Sequence, residues 1–364
     1  MGSRTRCSIP DADGFIMPGE FARHTGAWMA WPERPDNWRN NARNAQQCYA
    51  AAAEAIAAFE PVTMCVSKKL WEQARATLSH RIRIVELSTD DAWLRDQGPT
   101  FVMDDAGVVR GIDWQFNAWG EIYTPYFEDA LVSRKILELE NLDRYAADFV
   151  LEGGAIHVDG EGTLLTTEEC LLNSNRNPHL TQLDLETRLK AYLGVKKIIW
   201  LSKGVYMDED TSGHVDNLCC FVRPGVIALT WTDDTHDPQY EISRDAYERL
   251  QHATDAKGRP FTIHKVPQPS PLYLTADECP ARSDREGTLQ RVPGTRLAAS
   301  YINFYIANGG IVMPAFDDSQ DTVARDAIAA LFPERRVTQV LSRELLLGGG
   351  NIHCIVQQQP RGRR

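Results

Sequence analysis

The sequence has little of what holds a secreted or membrane-bound chain together. Its eight cysteines, spread over 364 residues, form no C-x-x-C pair and no regular framework. A disulfide scaffold is therefore excluded, and free thiols in a reducing cytosol are expected. No run approaches the ~18 apolar residues that a membrane helix needs. The opening stretch MGSRTRCSIPDADGF lacks the apolar core of a secretory signal, and Arg6 stands where a myristoylated Gly2 would require Ser or Thr. Basic residues are in deficit: 39 Lys and Arg against 50 Asp and Glu leave a formal charge of −11. That balance argues against nucleic acid or an anionic membrane as partner and is compatible with a cationic ligand. Low-complexity composition is absent too. Hydrophobic residues at 43% and charged residues at 24% are an ordinary globular mixture.

What is present is a repeated pattern. Hairpins are predicted over 100–103 and 108–114, 155–158 and 163–166, 218–222 and 226–230, and 301–307 and 311–314. The turns between them hold Asp, Asn, Gly and Pro, which tight reversals need. A helix follows each hairpin, over 128–140, 180–193, 237–253 and 320–332; Leu185, Leu189 and Tyr192 show the spacing of a buried stripe. A short strand then closes each unit, over 148–151, 197–201, 262–266 and 336–341. The period is roughly 50–60 residues, stretched in one unit by a Pro-rich, charged loop over 267–294.

The two ends are incomplete alone. The N-terminal part has strands over 27–31, 61–66 and 81–87 with helices over 40–59 and 69–79; the C-terminal part ends in a strand over 351–357. Pairing that strand with 27–31 supplies the missing hairpin and gives an α/β fold of five units closed in a ring, free of sheet edges. The expected domain is single, 1–364, with tails at 1–16 and 358–364. Two ordinary α/β domains are the alternative.

In such a ring the loops after the closing strands meet at the centre. They hold Asp90-Asp91-Ala92-Trp93-Leu94-Arg95-Asp96, Glu152-Gly153-Gly154, Gly213-His214-Val215-Asp216-Asn217 and Gly348-Gly349-Gly350-Asn351-Ile352-His353-Cys354. A lone Cys is more often a small core residue and a lone loop Asp more often a cap, but their recurrence at one place in the repeat marks a site. His214 and Asp216, at i and i+2, with Asp96 and Glu152, make a candidate metal set, weakened by the lack of a second placed histidine. The triple glycine lacks the lysine of a phosphate loop. Cys354 with His214 and carboxylates is a set for nucleophilic catalysis. Carboxylates around a thiol disfavour its thiolate, and a cationic substrate reverses that penalty. A guanidinium is planar and forked, and two carboxylates can grip its N–H groups. Trp28, Trp31 and Trp38 are expected in the core, and Cys219 and Cys220 are expected to pack on opposite faces of a strand.

At these residues the chain resembles the agmatine deiminase family, within the guanidine-modifying superfamily of pentein fold. The resemblance runs from Met17-Pro18-Gly19-Glu20-Phe21 and Trp28-Met29-Ala30-Trp31-Pro32 through Trp93-Leu94-Arg95-Asp96-Gln97-Gly98-Pro99, Phe116-Asn117-Ala118-Trp119-Gly120 and Leu151-Glu152-Gly153-Gly154. It continues through Gly213-His214-Val215-Asp216-Asn217 and Ser300-Tyr301-Ile302-Asn303-Phe304-Tyr305 to the segment from Gly348 to Gln359. Val356 and Glu121 depart from it. The resemblance implies cofactor-free hydrolysis of agmatine, a small cation, to N-carbamoylputrescine and ammonia, a step of polyamine synthesis. It gives Cys354 the role of nucleophile, Asp96 and Asp216 the guanidinium, and His214, oriented by Glu152, the acid and base roles. Gly349 and Gly350 would shape the wall beside Cys354, and Trp93 would cover the substrate chain. Asp90, Asp91, Asp208, Glu209 and Asp210 are candidates to favour the distal ammonium. No metal is implied, and a homodimer is compatible with it. The alternatives are a deiminase of free or peptidyl arginine, and a non-catalytic pentein that binds a partner.

Overall fold

Five sheets organise the molecule in the computed structural model, which describes residues 3–279 and 291–363. Three have three strands: Lys197–Leu201, Thr163–Thr167 and His157–Val158; Cys219–Arg223, Val226–Trp231 and Thr262–Pro267; and Tyr305–Ala307, Gly310–Ala315 and Arg336–Leu341. Two have four: Thr5–Arg6, Arg144–Val150, Val109–Gln115 and Thr100–Met103; and Gln357–Pro360, His24–Ala30, Val62–Val66 and Arg83–Glu86. Each contains an antiparallel pair and then a parallel strand. A parallel neighbour requires a crossover, and a helix makes it. Val132–Leu139, Gln182–Leu193, Pro238–His252, Gln320–Leu331 and Arg43–Ala57 serve the five sheets in turn.

The predicted helices are found within a few residues, because turn chemistry sets their ends. Thr181 caps Gln182–Leu193 by exchanging bonds with Asp184, and Gly194 leaves the helix with φ 66°. Asp237 caps Pro238–His252 through the Gln239 amide, with Pro238 in its first turn. The stripe Leu185, Leu189 and Leu193 is buried against Ile112, Tyr145, Phe149 and Leu164, so this helix is wedged between strands of two sheets.

The C-terminal strand pairs antiparallel with His24–Ala30, Gln357 opposite Trp28 and Gln359 opposite Gly26. Its position corrects the sequence expectation. The strand is Gln357–Pro360, inside the segment expected as a tail, whereas 351–356 is a turn with one 3-10 helix at His353–Ile355. The cause is local: Asn351 Oδ1 accepts from the Ile352 amide at 2.9 Å, and Asn303 Oδ1 takes the His353 amide at 2.9 Å. These bonds use groups that a ladder would need. The expected N-terminal tail is likewise packed: Thr5–Arg6 runs parallel to Arg144–Val150, and Phe15 is buried against Tyr145. Within the loop expected over 267–294, residues 280–290 lie outside the described residues. The loop's flanks are tied by an antiparallel bridge between Tyr273 and Arg296.

Trp28, Trp31 and Trp38 are buried, as are Cys219 and Cys220. Among the described residues no helix is long and apolar enough to cross a membrane. Leu189→Ala is expected to destabilise the fold by about 2–5 kcal/mol, measured by urea unfolding. A loss below about 1 kcal/mol would show that the stripe is not the contact holding this helix.

Candidate active site

Each sheet's first strand is preceded by a short turn, and those turns meet. Asp96 lies on the one-turn helix Leu94–Gln97, Glu152 just before Gly153–Ala155, and Asp216 on Val215–Leu218. Asn303 stands two residues before Tyr305–Ala307, and Cys354 lies on His353–Ile355. A Cβ added at Gly154 would fall 2.5 Å from His214 Nδ1, and 3.0 Å from both Asp216 Oδ2 and Asp96 Oδ1. That one glycine therefore marks the meeting point of three sequence-distant side chains, and no other residue fits there. Gly350 does the same on the far wall, where a Cβ would meet Trp93 at 2.4 Å and Cys354 Cβ at 3.1 Å.

Cys354 Sγ lies 4.0 Å from Asp216 Oδ2 and accepts a bond from Asn303 Nδ2 at 3.3 Å. Burial pushes its thiol well above the ordinary value, and the charges of Asp216 and Asp96 add to this. Asp96 accepts from the Trp119 indole and from the Gly154 amide, both at 2.9 Å. Burial raises the Asp96 carboxyl despite nearby His214. Asp216 is held below the usual carboxylate range: burial opposes this, but the bond from His353 prevails.

His214 sits between two carboxylates, Nδ1 3.9 Å from Asp96 and Nε2 3.9 Å from Glu152. Burial disfavours its charge, yet Asp96, Cys170 and Glu152 together raise it well above the ordinary imidazole value. Glu152 stays ionised against burial because Arg176 Nε bonds its Oε1 at 2.6 Å. Neither nitrogen of His214, nor Glu152 Oε2, Asp216 Oδ1 or Asn351 Nδ2, has a hydrogen-bond partner within the protein, although all are buried. Orphaned buried polar atoms are costly and rare in folded proteins. Their concentration around one thiol is the mark of a site shaped for a polar guest.

The other expected residues divide. Trp93 packs on Trp38 with ring centroids 5.2 Å apart, and its edge faces Gly350. Gly350 lies against Cys354, whereas Gly349, at φ 105°, faces Asp210 and Arg291 instead of the thiol. Asp91 is a structural hub instead, accepting from Trp38, Asn37, Trp93 and the Ala92 amide. Asp90 caps the Glu128 amide at 2.8 Å. Asp208 holds its own loop through Thr211 and Asn217, and burial pushes its carboxyl up to about 6. Glu209 is exposed. Together with Asp210, Arg291 and Gly349 it lines a cavity of about 410 Å³, in which Arg291 grips Asp210 with both guanidinium arms at 2.7 and 2.8 Å.

Five participants escaped the sequence reading: Asn303, Arg176, Trp119, Glu20 and His353. All but Arg176 stand inside quoted motifs, and only the tertiary contacts show what they touch. Among the described residues two clusters offer metal-type donors within 4.8 Å of one another, Glu152 with Cys170 and His214, and Glu20 with His157 and His353. Neither favours a cation. Arg176 already neutralises Glu152, and both nitrogens of His353 face carboxylates at 2.7 and 2.8 Å, leaving no free lone pair.

A family model for Porphyromonas-type peptidyl-arginine deiminases matches residues 16–360. The agmatine deiminase of Pseudomonas aeruginosa strain UCBPP-PA14 is 58% identical over 363 residues, covering 98% of each chain. That of Ectopseudomonas mendocina is 55% identical over 362 residues, again 98% of each. The solved structure of the agmatine deiminase of Enterococcus faecalis catalysing its reaction superimposes with a TM-score of 0.95 at 44% identity, covering 99% of both chains. The chain belongs to the Porphyromonas-type peptidyl-arginine deiminase family and, by these full-length relatives, to the agmatine deiminase family within the guanidine-modifying hydrolases.

Because carboxylates surround Cys354 in the free protein, its alkylation by iodoacetamide should be slow at pH 7 and still climbing at about pH 9.5. Peptide mass spectrometry follows it apart from exposed Cys7. A rate that levels off below pH 8 would contradict the raised thiol.

Proposed function

We propose that the chain hydrolyses agmatine to N-carbamoylputrescine and ammonia through a covalent intermediate on Cys354. The observation that carries this is the cluster of orphaned polar atoms around a buried thiol flanked by Asp96 and Asp216. Carboxylates that crowd a thiol are a poor arrangement until a cation lies between them. A guanidinium supplies that cation, donates to the carboxylate oxygens in forked geometry, and presents its electrophilic carbon to sulfur.

The steps follow from the charges. Guanidinium binding between Asp96 and Asp216 lowers the cost of the thiolate, and Cys354 releases its proton to bulk water as the cation arrives. Sulfur attacks the guanidinium carbon and gives a tetrahedral adduct. His214, an imidazolium held by Asp96 and Glu152, donates its proton to the departing nitrogen, and ammonia leaves. The amidino-thioether on Cys354 is then attacked by water, whose proton His214 takes. Collapse of the second adduct breaks the C–S bond, releases the ureido product and returns the thiolate. Asn303 Nδ2, bonded to Sγ, steadies the sulfur's charge at both ends of the cycle.

Trp93 covers the butyl chain in this reading. The distal ammonium points toward the 410 Å³ cavity, where Asp210 is already paired with Arg291 and Glu209 is the exposed acidic group. The α-carboxylate of free arginine would meet the like charge of Glu209 there. We also read residues 1–364 as one catalytic domain whose five sheets form a five-fold pseudosymmetric pentein ring. The pairing of Gln357–Pro360 with His24–Ala30 and the recurrence of site turns before each sheet support this. The eight free cysteines support a cytosolic setting.

Ammonia release should be faster from agmatine than from arginine or an arginyl peptide, and Cys354→Ser should abolish it. Trapping during turnover should add the mass of agmatine less ammonia to the Cys354 peptide; no adduct on that peptide would remove the mechanism. Glu209→Gln should raise KM for agmatine severalfold with little change in kcat, the pattern of lost uniform binding. An unchanged KM would take Glu209 out of the distal subsite.

A further inference from the structure

We propose that Glu20, His353 and Asp216 form a buried carboxylate–imidazole–carboxylate relay in which His353 is a positioning residue, aiming one oxygen of Asp216 at the substrate cation. The inference rests on the guanidinium-hydrolase reading of the site and adds the device that prepares it. His353 Nδ1 lies 2.7 Å from Asp216 Oδ2 and Nε2 lies 2.8 Å from Glu20 Oε2. A ring that meets acceptors at both nitrogens must carry both protons. His353 is therefore an imidazolium beneath the nucleophile, and its backbone precedes the cysteine.

The consequence for Asp216 is geometric. Oδ2 is consumed by His353, and Oδ1 is left without a partner although buried. A carboxylate free to turn would offer either oxygen; this one is held by His353 on Oδ2, the oxygen that also lies 4.0 Å from Cys354 Sγ, and keeps Oδ1 unpartnered. Orientation of this kind is where a site gains or loses the most rate.

Glu20 is itself anchored. Its Oε1 accepts the Ile306 amide at 3.2 Å, and its carbonyl takes His24 Nε2 at 2.7 Å. His24 is bonded in turn to Glu60, which Tyr305 Oη also meets at 2.6 Å. Two sheets thus brace the far end of the relay. The other titratable and charged groups facing it are Arg95, Asp96, His157, His214, Cys220, Tyr305, Arg335 and Cys354. Arg95 Nη2 lies 3.8 Å from Glu20 Oε1. His157 Nδ1 accepts the Phe221 amide at 3.2 Å, and burial pushes this ring down to about 4, so His157 is neutral. His353 and Arg95 are then the cations next to Glu20, and His353 the one bonded to Asp216.

The sign of the pH effect follows. His353 stabilises ionised Asp216 and holds its carboxyl low, so the seat is charged well into the acid range. Without the imidazolium, Asp216 takes a proton at higher pH, and binding of a cation fails sooner as pH falls. The same loss removes a positive charge beside Cys354 and moves thiolate formation further alkaline.

The test compares His353→Gln and Glu20→Gln in the full chain. The glutamine at 353 keeps one donor without the charge; the glutamine at 20 keeps the shape and removes the carboxylate that maintains the imidazolium. His353→Gln is expected to raise KM for agmatine about tenfold or more, the loss of one charge-assisted bond. The acid limb of kcat/KM should move up by about one pH unit. Glu20→Gln should move both in the same direction by less, and the double variant should be no worse than His353→Gln alone. Iodoacetamide alkylation of Cys354 should shift to higher pH in both variants, a readout that needs no substrate. Wild-type protein that released no ammonia from agmatine would overturn the proposed reaction and leave the alkylation arm to judge the relay. If both variants keep the wild-type KM, acid limb and alkylation profile, or lose only kcat, the relay is overturned. Should His353→Gln not fold, Glu20→Gln carries the same test.

Discussion

Charge buried without water governs this molecule's centre. Asp96, Glu152, Asp216 and Glu20 lie in one small region from which solvent is all but removed. A buried carboxylate is stable only where it is bonded and countered. The protein counters three of the four outright: Arg176 holds Glu152, while His353 lies between Glu20 and Asp216. Asp96 has the Trp119 indole and a backbone amide, with the His214 ring at 3.9 Å. The proposed substrate lies between Asp96 and Asp216, beside the carboxylate of the four that no cation bonds directly.

The same constraint accounts for the sulfur. A cysteine nucleophile is usually activated by adjacent positive charge. Here the nearest charges are carboxylates, and burial raises the thiol further. In the proposed cycle the activating cation is the substrate itself, so a neutral molecule of similar shape would leave the thiol protonated. Discrimination between charged and uncharged ligands then comes from the chemistry of attack as much as from binding.

The repeat of hairpin, helix and strand was legible because periodicity and turn residues are local. Thr181, Gly194, Asp237 and Pro238 mark helix ends in the letters themselves. The last strand was displaced because 351–357 is apolar enough to pass for one, whereas Asn303, some fifty residues upstream, takes the His353 amide and folds the segment into a turn. The acidic loop residues show the same limit. Asp90, Asp91 and Asp208 are as polar as Asp96 and Asp216, yet they cap an amide, gather three tryptophan and asparagine donors, or hold a loop. Nothing in their neighbours along the chain separates a carboxylate that is satisfied from one that is open. That distinction lies in which donors arrive from other sheets.

By itself the sequence determined the element types, the α/β class, the family, and the reacting set of Cys354, His214, Asp96, Asp216 and Glu152 as candidates. These are carried by spacing and by motifs, which are properties of neighbouring residues. Only the tertiary structure decided which side chains have partners, because a hydrogen bond between residues 20 and 353, or 216 and 353, depends on sheets meeting in space. The roles of His353, Glu20, Asn303 and Arg176, and the demotion of Asp90, Asp91 and Asp208 to structural duty, all follow from that meeting.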